Sequence, residues 1–99
     1  MKIGNLEIKG LVALAPMASV GDRAFREICM RFGSAYTVSE MISSKGVIYK
    51  NKNTSELLSN KKSEIPFSVQ LFGNEPTTMA NAAIEIMKTE PDMIDINMG

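Results

Sequence analysis

The chain has 99 residues, 44% of them apolar and 22% charged, with 11 basic side chains balancing 11 acidic ones. Eight βα units need about 250 residues, so a closed barrel of that kind is excluded, and the zero net charge removes any bulk electrostatic reason to gather nucleic acid or membrane. A single cysteine, Cys29, rules out an internal disulfide framework or a cysteine zinc cluster, and the absence of histidine removes the commonest metal ligand, so no metal is expected.

In chain order, Met1 to Asn5 lack the apolar run of a signal peptide, and no stretch approaches the ~18 apolar residues of a membrane span. No membrane association is expected, and the cytoplasm is the expected compartment. Lys2-Ile3 and Leu6 to Lys9 read as a small β-hairpin turning at Gly4-Asn5. Apolar runs then open near Leu11, Tyr36, Phe67 and Met93, at intervals of roughly 25 to 31 residues, each long enough for the crossover between parallel strands. The pattern predicts repeated βα units and a parallel sheet. A first helix spans Asp22 to Phe32, with Ala24, Phe25, Ile28, Cys29 and Phe32 on one face, capping-box spacing between Ser19 and Asp22, and Gly33 as its C-terminal cap. The middle segment, Ser43 to Glu64, predicts helical turns around Val47 to Lys50 and Ser55 to Leu58. Between Lys45 and Lys62 it carries Lys45, Lys50, Lys52, Lys61 and Lys62 against Glu56 alone, either a phosphate-contacting patch or a solvated surface. The last helix opens at Asn74-Glu75-Pro76, buries Met79, Ala80, Ala83, Ile86 and Met87, and ends before Pro91.

Strand alternation carries the functional signal. In Phe67 to Leu71 the apolar Phe67, Val69 and Leu71 share one face and Ser68 and Gln70 the other; in Met93 to Asn97, Ile94 and Ile96 oppose Asp95 and Asn97. Parallel strands are usually apolar on both faces. Polar groups near the carboxyl ends of two of them either meet water, tie down loop backbone, or face a ligand in the position where α/β sheets and barrels bind one. Gln70 and Asn97 are the candidate hydrogen-bonding groups. Ala15-Pro16-Met17-Ala18, at the end of the first strand, either closes the core or packs on a flat aromatic ligand, to which methionine adapts. Glu40 either orients a ligand or caps a helix. Cys29, on the apolar helix face, reads as a small buried hydrophobe. Neither standard glycine-rich phosphate loop is present.

Taken together and in order, four motifs resemble the amino-terminal third of the bacterial tRNA-dihydrouridine synthases: Ala15-Pro16-Met17-Ala18 with Asp22-Arg23 and Phe25-Arg26; Val38-Ser39-Glu40-Met41; Val69-Gln70-Leu71-Phe72-Gly73; and Asp95-Ile96-Asn97-Met98-Gly99. The resemblance covers essentially the whole chain. It implies an α/β fold that is part of a (β/α)₈ TIM barrel: the first three βα units plus the fourth strand, preceded by the hairpin, with residues 1–99 a single truncated part of the catalytic domain. It also implies FMN as cofactor, NADPH as reductant and tRNA as partner, with a specific uridine reduced to dihydrouridine by hydride transfer from flavin N5 to uracil C6. By that likeness Pro16, Met17 and Ala18 touch the isoalloxazine ring, Gln70 bonds its polar edge, and Asn97 faces the target base and the flavin. Reaching the flavin requires the uridine to leave the RNA stack.

Two departures stand out. Ser19 and Gly21 replace the glycine and threonine common in the turn after the first motif. In the family, Asn-Met-Gly is followed by Cys-Pro, whose cysteine is the general acid, whereas this sequence ends at Gly99; Cys29, on a helix, is no substitute. The 99 residues alone are therefore expected to lack synthase activity and to bind FMN weakly or not at all. Two rival readings are a flavin barrel acting on free pyrimidines and a non-enzymatic α/β module. An unclosed sheet exposes its edges, so a homo-oligomer is expected for the isolated chain.

Overall fold

A computed structural model describes residues 1–52, 54, 58 and 66–99. The chain opens with the antiparallel strands β1 (Lys2–Ile3) and β2 (Leu6–Glu7), in which Ile3 faces Leu6 and Lys2 faces Glu7. Gly4 has φ of 57°, which fits the first central position of a two-residue type II′ hairpin loop.

Residues 11–14, where the first parallel strand was expected, form no regular strand. A single parallel bridge joins Leu14 to Thr37, supported by Ala35 N–H donating to Val12 carbonyl at 2.7 Å and Leu14 N–H donating to Tyr36 carbonyl at 3.1 Å. Leu11 and Val12 are exposed. Among the described residues this segment is bonded on one side only, and Gly10 and Pro16 bracket it, so the pairing stays short.

Helix α1 spans Arg23–Arg31, with Asp22 as N-cap: its carboxylate accepts from Phe25 N–H at 2.9 Å. Ser19, expected to open a capping box, instead lies in the preceding turn with φ of 63°. The other end is a Schellman motif, in which Ser34 N–H donates to Cys29 carbonyl and Gly33 N–H to Met30 carbonyl, with Gly33 at φ of 97°. The expected apolar face is not the buried one. Ala24, Ile28 and Phe32 are exposed and Cys29 half-buried, while Arg26 is only 1% exposed. Its guanidinium lies 4.9 Å from the Phe67 ring centroid and Nη1 donates to Gly21 carbonyl at 2.8 Å, so the charge enters the interior with its hydrogen bonding met.

The second apolar run makes two short strands, β3 (Thr37–Val38) and β4 (Ile42–Ser43), both parallel to β5 (Phe67–Phe72), which in turn pairs in parallel with β6 (Met93–Ile96). Val38 pairs with Ser68 and Ile42 with Leu71. The first strand thus spends one more residue than its partner over that interval, which is a β-bulge at Ser39-Glu40-Met41. Val38 and Ile42, four apart, would share a face in an unbroken strand. The extra residue reverses the alternation, so Val38 lies opposite Ser68 while Ile42 joins Leu71 in the core.

That core lies between one sheet face and two helices, α2 (Ser44–Ile48) and α3 (Pro76–Met87). It contains Ile42, Val47, Phe67, Val69, Leu71, Ala82 and Ile86, with Met79, Ala83 and Ile94 packed against it. Ala80 and Met87, expected inside, are exposed, because α3 presents Met79, Ala82, Ala83 and Ile86 instead. Ile96 is also exposed. Gly73 permits the close approach at the end of β5: a Cβ there would lie 2.3 Å from Ser44 Oγ and 2.8 Å from Met79 Sδ. The expected turn at Ser55 to Leu58, and Lys61 and Lys62 of the basic segment, lie outside the described residues apart from Leu58. The architecture is mixed α/β with a parallel sheet. Among the described residues no helix is long and apolar enough to cross a membrane.

Two predictions follow from the helix ends. Gly33→Ala is expected to cost about 1–2 kcal/mol, the strain of a left-handed residue with a Cβ, read from urea denaturation midpoints. At α3, Glu75 accepts from the Thr78 hydroxyl and from the backbone N–H of Thr78 and Thr77, which hold its carboxyl below the ordinary value of 4.5. A lowered folded-state pKa stabilises fully above that ordinary value and ceases to as pH falls through the lower one. Glu75→Gln should therefore flatten the acid limb of the stability profile and leave the limb above pH 6 parallel to that of the unsubstituted chain.

Candidate functional site

The face of β5 opposite the core carries Ser68 and Gln70, both buried at 2% and 7% exposure. The hairpin approaches this face from the amino end of the sheet, where Ile3 and Gly4 line a cavity of about 320 Å³ with Tyr36, Val38, Ser68 and Asp95. At the carboxyl ends of β4, β5 and β6 a second cleft, about 490 Å³, is lined by Ser43, Lys45, Gly73, Asn74, Asn97 and Gly99.

Gln70 and Asp95 are direct partners across the β5–β6 ladder, so their side chains leave the sheet on the same side. Gln70 Nε2 donates to Asp95 Oδ2 at 2.5 Å, and Asn97 Nδ2 donates to Gln70 Oε1 at 3.3 Å. The two carboxamides selected from sequence alternation therefore meet. Asn97 Oδ1 accepts from Gly99 N–H at 2.9 Å, and its Nδ2 also lies 4.0 Å from Met41 Sδ.

Pro16, Met17 and Ala18 form the turn ahead of α1. Met17 carbonyl accepts from Val20 N–H at 3.2 Å and from Gly21 N–H at 2.7 Å, and Met17 is 44% exposed. A Cβ at Gly21 would lie 3.8 Å from Glu40 Cγ. The turn thus abuts the bulge, and the next bulge residue, Met41, is the one beside Asn97. Arg26 holds the same turn from below through Gly21 carbonyl. Glu40 caps no described helix, since the N-cap of α2 is Ser43.

Sequence reasoning passed over Ser39, which is fully buried. The bulge interrupts the ladder beside Gln70, and Ser39 Oγ restores it by accepting Gln70 N–H at 3.0 Å while donating to Glu40 carbonyl at 2.8 Å. A hydroxyl can do both because it is donor and acceptor at once. The available signal was a lone serine between Val38 and Glu40, which reads as strand until the bulge is known. Among the described residues no group of three or more Cys, Asp or Glu is placed to hold a metal ion.

Parallel strands adjacent in chain order, with helices on one face and polar side chains gathered at the carboxyl ends on the other, define the class of α/β proteins whose ligand sites lie over the strand ends. Comparison with known proteins specifies the class. The family model described as dihydrouridine synthase (Dus) matches residues 13–99, and the chain belongs to that family. It is 41% identical over 99 residues to tRNA-dihydrouridine synthase B of Vibrio vulnificus, 39% over 99 residues to that of Shewanella oneidensis and 36% over 99 residues to that of Pseudomonas aeruginosa. All of this chain is covered in each case, against 31%, 31% and 30% of those proteins, so it spans about a third of their length.

Ser39→Ala is expected to leave Gln70 N–H buried without a partner and to lower stability by about 1–3 kcal/mol, measured by chemical denaturation.

Proposed function

We propose that these 99 residues are the first three βα units and the fourth strand of a (β/α)₈ barrel that reduces a uridine in tRNA to dihydrouridine, with FMN as cofactor and NADPH as reductant. Membership of the dihydrouridine synthase family supports the reading, as do the names of the relatives. The observation that carries it is the hydrogen-bonded pair Gln70–Asn97 at the strand ends, on the far side of the bulge from the Pro16 turn.

The residues suit a flavin. A carboxamide matches the alternating carbonyl and N–H groups of a pyrimidine edge, and exposed Met17 and Met41 offer polarisable surface to a ring. When bound, FMN supplies the hydride chemistry. Pro16, Met17 and Ala18 hold the ring, Gln70 bonds its polar edge, and Asn97 orients the extruded base. Lys45, exposed at the mouth of the cleft, is available to a backbone phosphate. The site of action is the cytoplasm, where tRNA is modified.

A second reading concerns the isolated chain. Phe32 is 89% exposed and borders an apolar cleft of about 370 Å³ with Val12, Leu14 and Cys29, beside the single-bridged edge at Leu14. This favours self-association of the 99 residues through that edge, which light scattering during size-exclusion chromatography would detect; a monomer at high concentration counts against it.

The functional test is a chimaera in which this chain replaces the matched segment of the Vibrio vulnificus enzyme. It should retain FMN and form dihydrouridine in tRNA with NADPH, whereas the 99 residues alone should not turn over. Gln70→Leu in the chimaera should weaken FMN binding about tenfold, the loss of roughly one hydrogen bond. A chimaera that binds no flavin refutes the proposal, and one that reduces free pyrimidines but not tRNA points to the rival substrate class.

A further inference from the structure

We infer that Asp95 is a positioning residue: its carboxylate fixes which end of both carboxamides, Gln70 and Asn97, faces the ligand. A carboxamide has a donor end and an acceptor end of nearly the same shape, so geometry alone does not choose between its two orientations. A carboxylate can only accept. Asp95 stands directly across from Gln70 in the ladder, and its Oδ2 takes the Gln70 Nε2 hydrogen at 2.5 Å. Turning the Gln70 amide over would set oxygen against carboxylate oxygen, exchanging a charge-assisted bond for repulsion. With Nε2 held, Oε1 points along the face to the residue two positions further on, and Asn97 has to meet it with Nδ2. Asn97 Oδ1 is then left to the Gly99 N–H, which can only donate.

All the hydrogen bonds between these side chains therefore run one way, from Asn97 to Gln70 to Asp95, and bonds so aligned polarise one another. The consequence is a selection rule. Asn97 keeps one lone pair on Oδ1, and its second amide hydrogen faces Met41 Sδ, a weak acceptor; Gln70 keeps one N–H and one lone pair for an edge that alternates the two. An acidic residue at position 95 thus fixes where the site presents donors and where it presents acceptors, and it does so without needing to touch a ligand.

The inference deepens the proposed function, on which its meaning for ligand choice rests, but the alignment is measurable with neither flavin nor tRNA. The probe is the side-chain amide resonances of Gln70 and Asn97 in the 99-residue chain by ¹⁵N–¹H correlation. Asp95→Asn preserves a hydrogen-bonding partner of the same shape that can either donate or accept, so it should unlock the orientation: both amide pairs move away from their native positions, each averaged or doubled, while backbone cross-peaks of β5 and β6 stay in place. Asp95→Glu keeps an acceptor-only partner and should restore a single native-like set. Gln70 and Asn97 amides that keep their native positions in Asp95→Asn overturn the inference. A flavin-free chimaera, by contrast, would bear only on the function proposed above.

Discussion

β5 is covered on both faces, and that is the constraint from which the rest of the architecture follows. Phe67, Val69 and Leu71 fill the side toward α2 and α3, while Ser68 and Gln70 are equally shut away on the other. A buried carboxamide without partners is costly. Gln70 therefore has to be met at each polar atom by the protein itself, and it is: by Ser39 at its backbone, by Asp95 at its nitrogen and by Asn97 at its oxygen. These partners come from both neighbouring strands. The demand of one residue thus ties β6 and the bulged strand to the centre of the sheet, and leaves the remaining hydrogen-bonding capacity at the strand ends, where a ligand can use it.

Much of this was legible in the sequence wherever the signal was local. The hairpin, the opening of the last helix at Asn74-Glu75-Pro76, the Gly33 terminus and the alternation of Phe67–Leu71 and Met93–Asn97 each depend on a few adjacent residues whose chemistry has one good outcome, whereas the capping box expected at Ser19 gave way to Asp22 as the cap. The juxtaposition of Gln70 and Asn97 followed from alternation plus parallel pairing. What escaped was set by tertiary context. Helical periodicity assigned Ile28 and Phe32 to the core and Arg26 elsewhere, because it counts a guanidinium as solvent-seeking and has no means of seeing the Phe67 ring and the Gly21 carbonyl waiting for it. The same blindness promoted Leu11 and Val12 to a strand: apolar character alone does not supply a neighbour to pair with. The bulge was invisible because an inserted residue shows only in the register against another strand.

The candidate site divides similarly. Pro16, Met17, Ala18, Gln70 and Asn97 were selected from sequence, and the geometry links the first three to the last two by way of Glu40, whose role the sequence left open, against the turn and Met41 against Asn97. Asp95 was legible as a member of the polar face but not as the partner of Gln70, since alternation reports a side and not a contact. Residues that act on a ligand tend to be recognisable by type. Those that hold them in place are ordinary serines and aspartates, distinguished only by where the fold puts them.

The bulge at Ser39-Glu40-Met41 also bears on what changes this chain can absorb over evolutionary time. Removing one of those residues would leave three steps from Val38 to Ile42, matching the three from Ser68 to Leu71, so Ile42 would keep its apolar side and only the bulge itself would be lost. What such a shortening would forfeit is the outward step of the chain that sets Glu40 against the Gly21 turn and Met41 beside Asn97. Among descendants of this sequence, the extra residue should therefore persist on account of the polar face it shapes, since the apolar side is equally well served without it.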